Sequence, residues 1–132
     1  VQVGQELIRK FRESGQIFVK ILYLENHAIF AQQVILQFLK SHQVTVVPTL
    51  ATARQALAFQ NFNLILCDYD LDEGKGDEFV CECRASHPHL PIIAVSSHEA
   101  GNAALMRAGA STICRKMEFQ RIEEVIQQLV SQ

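Results

Sequence analysis

NLILCDYDLDEGKG, residues 63–76, decides the fold. It opens with four apolar residues, Leu64, Ile65, Leu66 and Cys67, breaks at Asp68, and runs into a polar stretch that ends at Gly76. A short run that is continuously apolar, without alternation, is the pattern of a strand buried on both faces, as in a parallel sheet. An aspartate closing such a strand stands where open α/β sheets bind ligands, outside the carboxyl ends of the strands.

Working outward, four more apolar runs share this character, at residues 21–24, 44–47, 92–95 and 112–114. Segments with helical spacing separate them. Ala31, Val34, Ile35, Phe38 and Leu39 form one apolar stripe; Ala53, Ala56 and Leu57 form a second, with Thr52 as its expected N-cap. Phe79, Val80 and Cys83 form a third, ended by His87-Pro88. Ala104, Leu105 and Ala108 form a fourth, closed by Gly109 at a C-cap position. Phe119, Ile122, Val125, Ile126 and Leu129 form the fifth. Strand and helix thus alternate five times. Right-handed crossovers then predict an open, doubly wound α/β sheet of five parallel strands with helices on both faces. Before it, Val3, Leu7 and Phe11 recur four apart until Ser14-Gly15 breaks the pattern. Residues 1–16 therefore read as an amphipathic helix or linker, and 17–132 as the domain. The helix either packs on the domain or is the end of a signalling helix from an upstream domain. A chain that starts at Val1 is expected to be a piece of a longer protein.

A length of 132 residues suits one core. Apolar residues at 48% and charged residues at 20% rule against disorder. A net charge of −2 offers no basic field for nucleic acid or an anionic membrane. No apolar run is long enough for a spanning helix, and no signal peptide is expected. The four cysteines, Cys67, Cys81, Cys83 and Cys114, lack zinc-site spacing. Cys81 and Cys83 point in different directions on a helix, and Cys67 and Cys114 read as core residues. Free core thiols predict a cytoplasmic location.

The residues after each strand carry the chemistry. Glu25-Asn26 follows the first, Asp68-Tyr69-Asp70 the third, Ser96-Ser97 the fourth, and Lys116 the fifth. Singly, each has a plain local reading as a turn, cap or solvated charge. Together at one rim they suit phosphoryl chemistry. Carboxylates hold Mg²⁺, Asp68 is a candidate nucleophile, and Lys116 balances charge opposite the metal. The Ser96 hydroxyl would donate to a phosphoryl oxygen in the phosphorylated state only.

KILYLENH (20–27), NLILCDYDLDEGKG (63–76), LPIIAVSS (90–97) and AGASTICRKM (108–117), in this order and spacing, resemble the receiver domain of bacterial response regulators. The resemblance runs from about Lys20 to Val130. It implies a flavodoxin-like sheet of strand order 2-1-3-4-5, a phosphoacceptor at Asp68, a switch hydroxyl at Ser96 and the family's lysine at Lys116. It implies a Mg²⁺ site from Glu25, Asn26, Asp68 and the Asp70 backbone carbonyl, and a loop glycine at Gly76. It implies a histidine kinase or histidine phosphotransfer protein as donor, and a signalling module, not an enzyme.

The chain departs from the family pattern at four places. Asn26 stands where the acidic pair usually ends in Asp. Opposite unit charges about 4 Å apart attract by about 4 kcal/mol at an effective dielectric of about 20, so its loss weakens Mg²⁺ binding unless the Asp70 side chain turns inward. Met117 replaces a proline and disfavours a cis bond by about 2.5–4 kcal/mol. Ile113 replaces an aromatic switch residue, and Asp72 stands where proline is common. Two other readings follow: a pseudo-receiver that binds proteins without phosphorylation, and a phosphatase of the haloacid dehalogenase type, suggested by Asp68-Tyr69-Asp70. The latter motif normally follows a first strand, with more chain after it than remains here.

Overall fold

The computed structural model describes residues 17–131. The expected helix over 1–16 lies outside the described residues. Five strands form one parallel sheet: β1 (Lys20–Leu24), β2 (Gln43–Val47), β3 (Leu64–Cys67), β4 (Ile92–Ala94) and β5 (Thr112–Ile113). Their order is β2-β1-β3-β4-β5, the flavodoxin-like order expected. β3 is buried at all four residues, and β1 at its last four. This is why both read as unbroken apolar runs.

The register places Leu24 beside Cys67. The Asp68 N–H extends that ladder to the Leu24 carbonyl at 3.1 Å. Glu25 and Asp68 therefore leave two neighbouring central strands at the same level.

Helix α1 (Ala28–Val34) widens into a π-type turn over Ile35–Leu39. With α5 (Ile122–Val130) it covers one face of the sheet, where Ile21, Tyr23, Leu66 and Ile93 meet Val34, Ile122 and Ile126. Helices α2 (Leu50–Phe59), α3 (Gly76–Ser86) and α4 (Glu99–Ala108) cover the other, where Leu22, Leu24 and Ile65 meet Ala53, Phe79 and Leu105. His87 ends α3, and Gly109, at φ 121°, ends α4, as the sequence predicts.

Three details differ from expectation. The N-cap of α2 is Thr49, not Thr52. Thr49 is extended and its hydroxyl accepts from the Thr52 N–H at 3.0 Å, while Thr52 Oγ1 accepts from the Thr49 N–H at 3.2 Å. This reciprocal box lets the helix start at buried Leu50. Phe119 belongs to a 3₁₀ turn, Lys116–Arg121, that precedes α5. Between β3 and α3 a small antiparallel ribbon pairs Asp70–Leu71 with Gly74–Lys75, turning through Glu73 at φ 61°. No helix among the described residues is long and apolar enough to cross a membrane.

Candidate functional site

The rim at the carboxyl ends of β1, β3 and β5 holds a compact charge cluster. Lys116 Nζ lies 2.8 Å from Asp68 Oδ2 and 2.8 Å from Glu25 Oε1. The Glu25 side chain is fully buried, and Asp68 nearly so, while the Lys116 side chain keeps 17% exposure. Burial alone would lower the Lys116 pKa. A hydrogen bond to Asp68 and the negative charges of Asp68 and Glu25 outweigh it and hold the ammonium above the ordinary lysine value. The Lys116 ammonium also sits over the Phe30 ring, 5.0 Å from its centroid. The second oxygens of both acids accept backbone N–H groups: Tyr69 N–H to Asp68 Oδ1 at 2.7 Å and His27 N–H to Glu25 Oε2 at 3.1 Å. These bonds fix the direction of each carboxylate.

Asn26 is half-buried beside this cluster. Its Nδ2 donates to Asp72 Oδ1 at 3.2 Å, and its buried Oδ1 has no hydrogen-bond donor. Glu25 Oε1 is likewise outside hydrogen-bond geometry, although Lys116 is close. Buried oxygens left without donors are costly, and oxygen donors of this kind suit a hard cation such as Mg²⁺. Among the described residues no three His, Cys, Asp or Glu side chains gather as a metal group; the set here is two carboxylates and one amide.

The Asp70 side chain is elsewhere. It is 53% exposed and pairs with Lys75 Nζ at 2.5 Å and His98 Nε2 at 2.9 Å. Those hydrogen bonds, Lys75 first, hold its carboxyl below the usual range. It does not turn inward to replace the charge missing at Asn26.

Ser96 follows β4 and is buried, and its hydroxyl accepts from the His98 N–H at 3.3 Å. Gly76 has a stringent role: a Cβ there would lie 2.0 Å from the Asp68 carbonyl oxygen. The structure thus brings Glu25, Asp68 and Lys116 into contact, keeps Asn26 beside them, and directs the Asp70 side chain away.

Residues 21–127 match the family model described as the response regulator receiver domain. The chain belongs to the response regulator receiver family. Solved structures similar to this receiver domain include a CheY-like receiver domain protein from Methanospirillum hungatei JF-1, at 18% identity and TM-score 0.76, covering 85% of this chain and 93% of that one. The receiver domain of the Francisella response regulator 1452 aligns at 16% identity and TM-score 0.75, covering 86% and 97%. NtrX from Brucella abortus aligns at 20% identity and TM-score 0.78 over 87% of this chain but only 28% of its own length. At such identities the likeness shows the fold alone. No curated protein matches the chain.

The sequence reading missed three residues around Ser96: His98, Gly101 and Asn102. A signal existed for Asn102, a polar residue three before Leu105 on the apolar stripe of α4. Nothing local distinguished His98 or Gly101.

Proposed function

We propose that this receiver domain accepts a phosphoryl group on Asp68 from a histidine kinase or histidine phosphotransfer protein and uses it to switch a protein-interaction surface. The observation that carries this reading is the Lys116 ammonium bridging the buried Glu25 and Asp68 carboxylates. A lone surface lysine or turn aspartate does not require that arrangement.

In the transfer, an Asp68 carboxylate oxygen attacks phosphorus and forms the new P–O bond. The P–N bond to the donor imidazole breaks, and its electron pair stays on the ring nitrogen, which takes up a proton. Lys116 remains beside the acylphosphate and balances its added charge. Glu25, Asn26 and Asp68 side chains, with the Asp70 carbonyl, would hold Mg²⁺. When bound, the ion neutralises charge on the phosphoryl oxygens. Ser96 supplies a hydroxyl that can leave the His98 N–H for a phosphoryl oxygen, a contact that differs between the two states.

One observation favours a second reading, the pseudo-receiver. Asn26 brings no charge, and Asp70 is committed to Lys75 and His98. Acetyl phosphate with Mg²⁺, followed by intact mass, separates the two. A single phosphoryl adduct, lost in Asp68→Asn, supports phosphorylation. No adduct, with acetyl phosphate and with a kinase, leaves the interaction module.

A further inference from the structure

Both peptide groups of Ser96 are held by one side chain from the following helix. The Ser96 N–H donates to Asn102 Oδ1 at 2.9 Å, and the Ser96 carbonyl accepts from Asn102 Nδ2 at 3.0 Å. Each residue is 1% exposed. A carboxamide offers an acceptor and a donor side by side, as a peptide does, so Asn102 pairs with Ser96 as a neighbouring strand would.

Asn102 does not cap its own helix; His98 does, its Nδ1 accepting from the Gly101 N–H at 3.0 Å. The Asn102 amide is therefore spent wholly on Ser96. A second observation points the same way. A Cβ at Gly101 would lie 2.6 Å from Ser96 Oγ. Glycine lets the first turn of α4 press against the serine, and Asn102 then grips it. Separating them would leave a buried amide and two buried peptide groups unpaired, which is strongly disfavoured.

We propose that Asn102 is a positioning residue that makes the first turn of α4 travel with Ser96, so that phosphorylation is relayed to α4 through this side chain. The inference rests on Asp68 accepting a phosphoryl group, as proposed above. Ser96, drawn towards the phosphoryl oxygens, takes Asn102 with it, and α4 follows as one body. The neighbouring edge strand is a poor relay: β5 has two residues, and its Ile113 carries no polar atom on its side chain.

The test is amide NMR on the full chain with Mg²⁺ and beryllofluoride as the phosphoryl mimic, comparing the native protein with Asn102→Ala. In the native protein the amides of Ser96 and of residues 99–103 shift together, with one exchange rate. In Asn102→Ala, Ser96 still responds while the α4 shifts fall by about twofold or more, the smallest effect expected of a coupling residue. Unchanged α4 shifts in Asn102→Ala, with Asp68 and Ser96 responding, overturn this inference alone. A native protein whose Asp68 and Ser96 do not respond overturns the phosphoacceptor reading and this one with it. Should Asn102→Ala fail to fold, the native protein decides: a single exchange rate for Ser96, the Asn102 side-chain amide and residues 99–103 supports the relay, and separate rates refute it.

Discussion

Replacing Lys116 by methionine tests the charge cluster most directly. Methionine keeps an unbranched apolar side chain near Phe30 and carries no charge. The native ammonium faces two carboxylates at 2.8 Å each. With charge centres about 4 Å apart and an effective dielectric of about 20, each attraction is about 4 kcal/mol before desolvation. Desolvating the ammonium and the mutual repulsion of the two acids offset much of this. Removing one partner of a buried ion pair costs about 3–5 kcal/mol. Because the lysine side chain retains 17% exposure, the lower end applies, and Lys116→Met should lose about 3 kcal/mol at pH 7. Urea unfolding followed by far-UV circular dichroism measures this. Mg²⁺ should stabilise the variant more than the native protein, since a ligand of the folded state adds stability by mass action. A variant within about 0.5 kcal/mol of native at pH 7, the range of an ordinary surface substitution, would refute the picture of one ammonium neutralising two buried acids.

Gly76→Ala should lose about 3 kcal/mol or more, because its Cβ meets the Asp68 backbone rather than a movable side chain; the same urea titration reads it, and a neutral result contradicts the close approach. A neutral-pH thiol reagent should modify one cysteine quickly in the folded protein and all four in denaturant. Cys81 is exposed, whereas burial pushes the Cys83 and Cys114 thiols up to about 11 and Cys67 well up. Mass mapping that finds Cys67 modified first would be the contrary result. On the alkaline side, the Lys116 ammonium and the buried Tyr23 phenol both have folded pKa values raised above their ordinary 10.5 and 10.0. Groups shifted in this direction leave stability intact below those ordinary values and remove it as pH rises from them towards the folded values. Stability that rises through this window would show the shifts to have the wrong sign.

The sheet was legible because β1 and β3 are buried on both faces, which leaves unbroken apolar runs in the sequence. Their ends then located Glu25 and Asp68. The start of α2 was harder to read, since Thr49 and Thr52 are chemically alike and only the burial of Leu50 decides which one caps. The direction of the Asp70 side chain was not legible. It is set by Lys75, across the small ribbon, and by His98, at the start of a distant helix. The grip of Asn102 on Ser96 depends on how closely α4 approaches the sheet, and Gly101 gives no local sign of that. Residues whose placement follows from position along a strand were therefore legible, and those whose placement follows from tertiary approach were not.

The alignment of Leu24 with Cys67 has a consequence for how the chain assembles. The first 68 residues contain everything needed to set Glu25 beside Asp68, but the cation that reconciles them arrives only with residue 116. During ribosomal synthesis the two acids are made well before their partner. A nascent or truncated chain that has already paired its central strands carries a repulsion that in the finished protein the Lys116 ammonium balances. Docking of the last strand and helix then acts as a late, charge-driven lock on the fold, and divalent cations should ease the interval before it closes.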